Sequence, residues 1–440
     1  MKIKDTIKDY DEVISIKREK HISPKRQSYF LRKLIKFLSK KELKETNFKY
    51  VTDGMDKLGK DEPCLILMNH SSFTDLQIIG TLFANRQYHI VCTSDGLVGK
   101  AGLMRRVGCI PTAKFVIDST LVRDMKYTFD KLKSSIVMYP EASYSFDGTQ
   151  TPLPKSISKC LKIMNVPVVI VKTEGAFLRD PLYNNLQKRK ADVKATVKYL
   201  FSKEDIKKKS NEEIFETLSK ELSYDHFKAQ HEANICVNEH FRADGLHRVL
   251  YKCPCCKTEG SMVGKGVTIT CKECGKVYTL EENGTLSVRQ SGQPDSVKNR
   301  TGKGDSDFSG VDVCEFKYVT DWYAWERECV KKELEEGTYL LDTEVEIKML
   351  VDTKSIYSVG SGRLKHSKEG FELTGCDGRL KYTQSGKASY SLYADYFWYE
   401  IGDMICIGNN KVQYYCFPKN QEKAIVAKAR LAAEELYKML

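Results

Sequence analysis

A histidine and an aspartate follow a short apolar run in the segment LILMNHSSFTD, residues 65–75. His70 and Asp75 are close enough in sequence for the carboxylate to fold back onto the imidazole. A carboxylate on one ring nitrogen fixes the tautomer and leaves the other nitrogen free as a base. That base could take a proton from a hydroxyl group that attacks a thioester. The alternative is a structural histidine beside a helix-capping aspartate, which the H-x-x-x-x-D spacing alone favours because short motifs often occur by chance.

A second group of reactive side chains consists of two C-x-x-C pairs. Cys253 and Cys256 form the first pair, and Cys271 and Cys274 form the second. Two such pairs at this separation are a strong signature of a structural zinc ribbon, with Cys255 left as the odd thiol. Four thiolates close the coordination sphere, so the predicted zinc ion has no catalytic role. A disulfide pair is the alternative, and the reducing interior predicted for this chain disfavours it.

The segment around the histidine reads as an α/β domain. Short apolar runs, among them CLILMN, QYHIVCT, SSIVMYP and VPVVIVKTEG, alternate with helical segments over residues 61–202. This alternation predicts a mostly parallel sheet flanked by helices. His70 would then lie at the carboxyl end of a buried strand, where such sheets bind their ligands.

Four sequence blocks strengthen the catalytic interpretation. NHSSFTD, GCIPTAK, YPEAS and VPVV begin at residues 69, 108, 139 and 166. In order and spacing they resemble the four motifs of the glycerolipid acyltransferases. The resemblance implies transfer of a fatty acyl group from an acyl-CoA or acyl carrier protein thioester to a lysophospholipid. The acceptor it names first is lysophosphatidic acid, which would become phosphatidic acid, with His70 as general base oriented by Asp75.

The same resemblance implies a set of substrate-binding residues. The basic residue of the second motif would hold the acceptor phosphate, and the proline of the fourth would lie near an acyl tunnel. The set is Asn69, Lys114, Glu141, Ser143, Tyr144 and Pro167. Tyr144 stands where the family usually has an arginine, which removes one bidentate phosphate contact. Arg105 and Arg106 are candidate cations to replace it.

Two other functions stay open at this level. The first is acyl transfer to a different lysolipid or to an amino-acid lipid. The second is a nucleic-acid-binding or protein-binding module that carries the zinc ribbon on a degenerate acyltransferase scaffold. Nucleic acid is the less favoured partner, because the ribbon lacks the interleaved aromatic residues of a base-stacking platform.

The N-terminal region is strongly basic. The chain has 440 residues and a net charge of +12, and residues 17–44 hold eleven Lys and Arg against two Glu. A helix is predicted over residues 23–40, starting at Ser23-Pro24 as cap and first position. Its apolar stripe and basic flanks are typical of a helix that lies on an anionic membrane surface. An ordinary surface helix packed on its own domain is the alternative.

Length and composition predict several domains, roughly two to four by length. The expected units are a basic helical region (1–60), the α/β domain (61–202), a helical connector (203–249), the zinc ribbon (250–283), a linker (284–310) and a β-rich domain ending in a helix (311–440). The last unit resembles the pleckstrin-homology-like fold in its order of elements. No apolar run is long enough to span a bilayer and no signal peptide is seen. The expected location is therefore cytoplasmic and peripheral on the inner face of the cell membrane.

Overall fold

The computed structural model describes residues 2–17, 19–116, 118–288, 314–420 and 425–440. Three sheets and the helices around them account for most of these residues. None of the described helices combines the length and the hydrophobicity that a bilayer crossing requires.

The α/β domain is built on a seven-stranded sheet. Its strands are β2 (Lys49–Asp53), β3 (Leu65–Met68), β4 (Tyr88–Thr93), β5 (Cys109–Thr112), β6 (Ser135–Met138), β7 (Val168–Glu174) and β8 (Lys194–Phe201). They are arranged in the order β2-β8-β7-β3-β6-β4-β5, and every neighbouring pair is parallel except β7 with β8. The prediction of a mostly parallel sheet is confirmed. Strand β3 is wholly buried near the centre because all four of its side chains are apolar.

Helices cover both faces of this sheet, as parallel connections require. They are α2 (Tyr29–Glu45), α3 (Asp75–Leu82), α4 (Ala101–Arg106), α5 (Ser119–Asp130), α6 (Ile157–Met164) and α7 (Ala176–Arg179). Helices α2 and α3 pack closely at Gly80, where a Cβ atom would lie 2.6 Å from the Ile35 side chain. A larger residue at position 80 would therefore push the two helices apart.

The predicted start of α2 is wrong. The helix begins at Tyr29 with Ser28 as its N-cap, not at Ser23-Pro24. The residues before Ser28 are held by other partners: the Lys25 carbonyl accepts from His89 Nε2, and the Gln27 side chain donates to the Val107 carbonyl. These tertiary hydrogen bonds keep the segment out of the helix.

Three further helices form the predicted helical connector: α8 (Lys203–Lys208), α9 (Asn211–Leu222) and α10 (His226–Glu232). A four-stranded antiparallel sheet follows, in the order β12-β11-β10-β9. Its strands are β9 (Met262–Lys265), β10 (Thr268–Cys271), β11 (Val277–Leu280) and β12 (Leu286–Val288). We call residues 250–288 the cysteine ribbon. Strand β12 lies inside the predicted 284–310 linker, so that prediction is wrong for residues 286–288; residues 289–310 lie outside the described part of the chain.

The C-terminal domain contains an eight-stranded sheet, and seven of its strands form an antiparallel set that lies between two helices in chain order. Its elements are α11 (Val319–Glu336), β13 (Leu341–Leu350), β14 (Ile356–Ser367), β15 (Gly370–Gly375), β16 (Leu380–Ser385), β17 (Tyr393–Trp398), β18 (Gly402–Gly408), β19 (Gln413–Pro418) and α12 (Ile425–Met439). The strands run in the order β16-β15-β14-β13-β19-β18-β17. Seven strands followed by a terminal helix are the elements that the sequence predicts.

The N-terminal segment joins the two domains. Strand β1 (Asp5–Ile7) pairs in parallel with β14 of the C-terminal sheet, and helix α1 (Tyr10–Ile14) follows it. Lys348 binds Asp5, and Arg379 binds Asp9 at 3.0 Å and Asp11 at 2.8 Å. Because α2 packs on the α/β domain, the first 45 residues contact both domains.

Candidate active site

The loop between β3 and α3 places His70 against Asp75. His70 Nδ1 lies 2.9 Å from Asp75 Oδ2, and the aspartate occupies the first turn of α3. The same oxygen accepts the backbone N–H groups of Ser71 at 3.0 Å and Ser72 at 3.3 Å. These two N–H groups belong to the loop before α3, so one carboxylate oxygen holds both that loop and the imidazole.

The hydrogen bonds on Asp75 decide which nitrogen of His70 is the base. Oδ2 already receives two backbone N–H donors, so it cannot itself carry a proton toward the ring. Nδ1 must therefore donate to Oδ2, and Nε2 is the nitrogen without hydrogen. No described residue forms a hydrogen bond to Nε2. The arrangement leaves one basic nitrogen available to a substrate.

Two tyrosines hold the imidazole between their rings. Tyr139 stacks on one side with ring centroids 4.0 Å apart, and Tyr144 stacks at 3.8 Å. Phe73 extends the stack with its ring 5.1 Å from that of Tyr144. Rings on the imidazole prevent it from turning and present electron-rich faces to the imidazolium that forms when Nε2 takes a proton.

Burial sets the protonation state of the pair. It lowers the pKa of His70 well below its usual value, and the charge of Lys114 adds to this shift. Burial also raises the pKa of Asp75, while the backbone N–H groups of Ser72 and Ser71 favour its carboxylate form. The imidazole is therefore neutral at pH 7, which is the state that a general base requires.

Glu141, which follows β6, fixes the backbone of His70. One carboxylate oxygen accepts the His70 N–H at 3.2 Å. The other accepts the Thr151 N–H and the Tyr224 hydroxyl, each at 2.9 Å. Burial raises the pKa of Glu141 to about 7 against these donors. Since protein groups occupy both oxygens, the geometry gives Glu141 a positioning role rather than direct substrate contact.

The connector supplies two residues that sequence reasoning missed. Tyr224 binds Glu141, and His226 Nε2 lies 3.2 Å from the Ser71 hydroxyl. Asn69 donates to the same hydroxyl at 3.2 Å, while its carbonyl oxygen accepts the Thr173 N–H on β7 at 2.8 Å. The loop is thus tied to its own sheet and to His226, 155 positions after Ser71, a contact that no local spacing signals.

The other residues predicted to bind substrate form their hydrogen bonds outside the His70–Asp75 pair. Ser143 is buried and donates to the Tyr144 carbonyl at 3.4 Å, and the Pro167 carbonyl accepts the Leu65 N–H at 2.9 Å. Arg105 donates to the Ile22 carbonyl at 3.2 Å, and the Arg106 carbonyl accepts the Ser28 N–H. The structure places both arginines at the end of α4 beside the N-terminal segment and brings neither into contact with His70.

Lys114 follows β5 and points toward the C-terminal domain. Its ammonium lies 4.1 Å from the ring centroid of Tyr393. A small cavity lies beside it, lined on the other side by Gln384, Ser391 and Gln413 of the C-terminal sheet. Because the carboxyl ends of β3, β5 and β6 share one edge of the sheet, the residues that follow these strands come together.

The four predicted zinc ligands form a single cluster. Their Sγ atoms all lie within 4.8 Å of one another, with Cys253 and Cys274 3.7 Å apart and Cys256 and Cys271 3.6 Å apart. Four sulfurs at about 2.3 Å from a tetrahedral zinc ion would be about 3.8 Å apart. Cys255 is exposed and lies outside the cluster.

The two cysteine turns have the same backbone pattern. The Cys253 N–H donates to the Thr258 carbonyl, and the Cys271 N–H donates to the Lys276 carbonyl. The residue four after the first cysteine of each turn has positive φ: 65° at Lys257 and 73° at Gly275. This repeated turn directs two thiols of each pair to one point, so the residues present fit a structural metal ion.

Comparison with known proteins finds a matching family model and similar solved structures. Residues 49–171 match the family model described as Acyltransferase. No curated protein matches the chain. Among solved structures, the chain is similar to the 1-acyl-sn-glycerophosphate acyltransferase PlsC from Thermotoga maritima, with 19% identity over 44% of this chain and 77% of that one. The TM-score of 0.35 is too low for that likeness to support an inference about the site.

Proposed function

We propose that the α/β domain, which the family match at residues 49–171 overlaps, transfers a fatty acyl group from a thioester to the hydroxyl group of a lysophospholipid. The observation that carries this proposal is the His70–Asp75 pair at the carboxyl end of β3, with Nε2 left unbonded by the described residues. The match extends across the loops that hold the pair. Acyl-CoA and acyl carrier protein are both possible donors.

In the proposed reaction, Nε2 of His70 accepts the proton of the acceptor hydroxyl while the hydroxyl oxygen attacks the thioester carbonyl. The new C–O bond forms and the C–S bond breaks. The proton then passes from the imidazolium to the departing thiolate, which leaves as a free thiol. Asp75 holds the ring and stabilises its charged form, as in other His–Asp pairs.

Lys114 is the proposed contact for the acceptor's anionic group. Its ammonium makes no hydrogen bond or ion pair within the described residues, and its charge reaches His70, whose pKa it lowers. Lysophosphatidic acid is the acceptor that the family resemblance names. Other lysolipids and amino-acid lipids carry the same reacting hydroxyl and form the second group of candidates.

Acyl transfer is tested directly with purified protein. We expect transfer of a radiolabelled acyl group to at least one of lysophosphatidic acid, lysophosphatidylglycerol and lysophosphatidylethanolamine, from one of the two thioester donors. Lys114→Ala should reduce kcat/KM by about tenfold or more, because charge-assisted contacts are roughly twice as strong as neutral ones. Phosphatidic acid, which has no free hydroxyl, is the matched non-acceptor.

Failure with every acceptor would contradict the proposed reaction. Tight, salt-sensitive binding of RNA by the same inactive protein would favour the binding-module alternative.

Helix α2 is the proposed membrane contact. Its exposed face carries Phe30, Leu34, Phe37 and Leu38, of which Phe30 and Leu38 are 75% and 66% exposed. The opposite face packs on the α/β domain through polar contacts, such as Arg32 Nε to the Ala84 carbonyl at 3.0 Å. Lysines at positions 33, 36, 40, 41 and 44 surround the apolar face. This combination suits a peripheral helix on anionic lipid.

Vesicle sedimentation tests this contact. We expect the protein to pellet with phosphatidylglycerol vesicles and to be released by high salt, because each Lys near such a surface contributes on the order of 1 kcal/mol. The double variant Phe37→Ser/Leu38→Ser should weaken binding at least about tenfold. Val51→Ser is the matched control, because Val51 is equally exposed (64%) on β2. Equal binding to neutral vesicles, or an unaffected double variant, would contradict the proposal.

A further inference from the structure

The C-terminal domain contacts both loops that frame His70. Tyr393 of β17 lies on the ammonium of Lys114, in the loop after β5. Arg430 of α12 donates to the Tyr144 carbonyl at 3.2 Å, in the loop after β6. We call the side of the candidate active site that holds Lys114 and Tyr144 the acceptor side. It is bounded by a domain that lies outside the family match at residues 49–171.

The cations on this side are not equally available. Arg430 is buried, its Nε lies 3.2 Å from a Glu434 oxygen, and its guanidinium stacks 4.2 Å from the Phe146 ring centroid. Lys114 has no carboxylate within ion-pair distance among the described residues. Lys114 is therefore the group in these contacts that can receive an anion without breaking an existing ion pair.

Asp395 is a carboxylate on the same strand as Tyr393, and the proposed reaction gives it no role. Tyr393 and Asp395 are two residues apart on β17, so their side chains lie on the same face of the sheet. The Tyr393 ring contacts Lys114 across the domain boundary. Asp395 Oδ1 is buried and has no hydrogen-bond partner in the described residues. Burial raises the pKa of Tyr144, the ring stacked on His70, and the charge of Asp395 adds to that shift.

Lys114 and Asp395 oppose each other without forming a pair. Burial raises the pKa of Asp395 to about 7, and the charge of Lys114 opposes this shift. Burial lowers the pKa of Lys114, and the charge of Asp395 opposes that shift. No ion pair joins the two groups, and Asp395 Oδ1 has no hydrogen-bond partner among the described residues. Burying an unpaired carboxylate is costly, so a ligand that supplies its partner is favoured.

We infer that the preferred acceptor is a lysolipid with a zwitterionic headgroup, whose anionic group binds Lys114 and whose ammonium group binds Asp395 of the C-terminal domain. A phosphate monoester with nearly two negative charges would meet one lysine and the Asp395 carboxylate, and Asp95, bound by the Tyr393 hydroxyl at 2.8 Å, adds another carboxylate. An ammonium group removes this repulsion and gives Oδ1 a donor. Phosphoethanolamine and α-amino-acid headgroups share this chemistry. The inference rests on the proposed acyl transfer and names its acceptor.

The test compares acceptors of equal chain length in wild-type protein and in Asp395→Asn. The acceptors are lysophosphatidylethanolamine, an amino-acid lysolipid, lysophosphatidylglycerol and lysophosphatidic acid. We expect wild-type kcat/KM to be at least about tenfold higher for one of the two zwitterions than for the anionic lipids. Asp395→Asn should remove that preference and leave lysophosphatidic acid unchanged or improved, whereas Lys114→Ala should reduce transfer to every acceptor.

Binding gives a readout that does not require catalysis. Trp398 Nε1 lies 3.1 Å from the Tyr393 hydroxyl, so tryptophan fluorescence should report headgroup binding in this pocket. A wild-type preference for the anionic lysolipids, or equal loss with all acceptors in a folded Asp395→Asn protein, would overturn the inference. If no acceptor is acylated, the proposed reaction fails, and selective binding of the zwitterions still decides whether Asp395 recognises them.

Discussion

His70→Ala should abolish acyl transfer while the protein remains folded. A general base contributes about 10²–10⁴-fold to a reaction rate, so kcat should fall by at least that factor. The expected loss is large because the described residues place no second imidazole in contact with Asp75: the site has one basic nitrogen, held by one carboxylate at 2.9 Å. The measurement is steady-state transfer with the acceptor that wild-type protein uses best.

The chain offers a matched control for this variant. His21 also pairs with an aspartate, Asp124, at 3.0 Å, but the pair lies outside the loop after β3. His21→Ala should leave kcat within about twofold of wild type. Asp75→Asn should be nearly as damaging as His70→Ala, because it removes the carboxylate that orients the ring and stabilises its charged form. A folded His70→Ala protein that transfers acyl groups at the wild-type rate would show that the catalytic assignment is wrong.

The pH profile provides a further check on the same residue. Burial and Lys114 lower the pKa of His70, so the neutral imidazole persists as the pH falls through 6.5. Because the neutral form is the base, kcat/KM should stay level across that pH and decline only at lower values. A decline centred at or above 6.5 would mean that the imidazole is more solvated than the structure indicates.

The parts of the site that could be predicted from sequence are local ones. A four-residue apolar strand, a polar loop and a helix start place His70 and Asp75 together through contacts within six residues of sequence. The cysteine turns are equally local. The α/β arrangement followed from alternating apolar and helical segments, because that alternation has few compact solutions.

The parts that could not be predicted depend on distant contacts. His226 reaches the loop after β3, and Tyr224 reaches Glu141 after β6, from a charged connector that has no motif. The segment before Tyr29 contains a good helix start at Ser23-Pro24, yet hydrogen bonds to β4 and α4 neighbours outweigh it. Asp395 lies 320 positions from Asp75, and only the packing of β17 on the α/β domain gives it a place near Lys114.

The cysteine ribbon links this packing to the rest of the chain. The Lys252 N–H, next to Cys253, donates to Glu326 on α11 at 2.8 Å, and Trp322 Nε1 donates to the Lys252 carbonyl at 2.9 Å. Helix α11 in turn binds α12 through Arg327, which lies 2.8 Å from Glu434. Since α12 carries Arg430, the ribbon supports the helix pair on which the acceptor side of the site depends.

The double variant Cys253→Ser/Cys271→Ser should lose both its metal and most of its activity. We propose one zinc ion per chain, found by metal analysis of protein purified without added zinc and released by thiol-modifying reagents. Structural zinc contributes on the order of 10 kcal/mol to the folding of small zinc domains, so the ribbon should unfold without it and the unfolding temperature should fall. Activity should fall because α11 loses its contacts with residue 252.

Cys255→Ser is the matched control for the zinc prediction, because Cys255 is adjacent in sequence but exposed and outside the four-thiol cluster. It should retain about one zinc per chain and the wild-type unfolding temperature. Loss of zinc from the double variant but not from Cys255→Ser would identify the cluster as the metal site, because Cys253 and Cys271 belong to it and Cys255 does not. Metal-free wild-type protein in which Cys253 and Cys271 are both alkylated under native conditions would rule out the zinc ribbon. Retained activity in a metal-free double variant would show that the acceptor side of the site does not depend on the ribbon. The contacts of α11 and α12 with the C-terminal sheet would then be enough to hold the two helices in place.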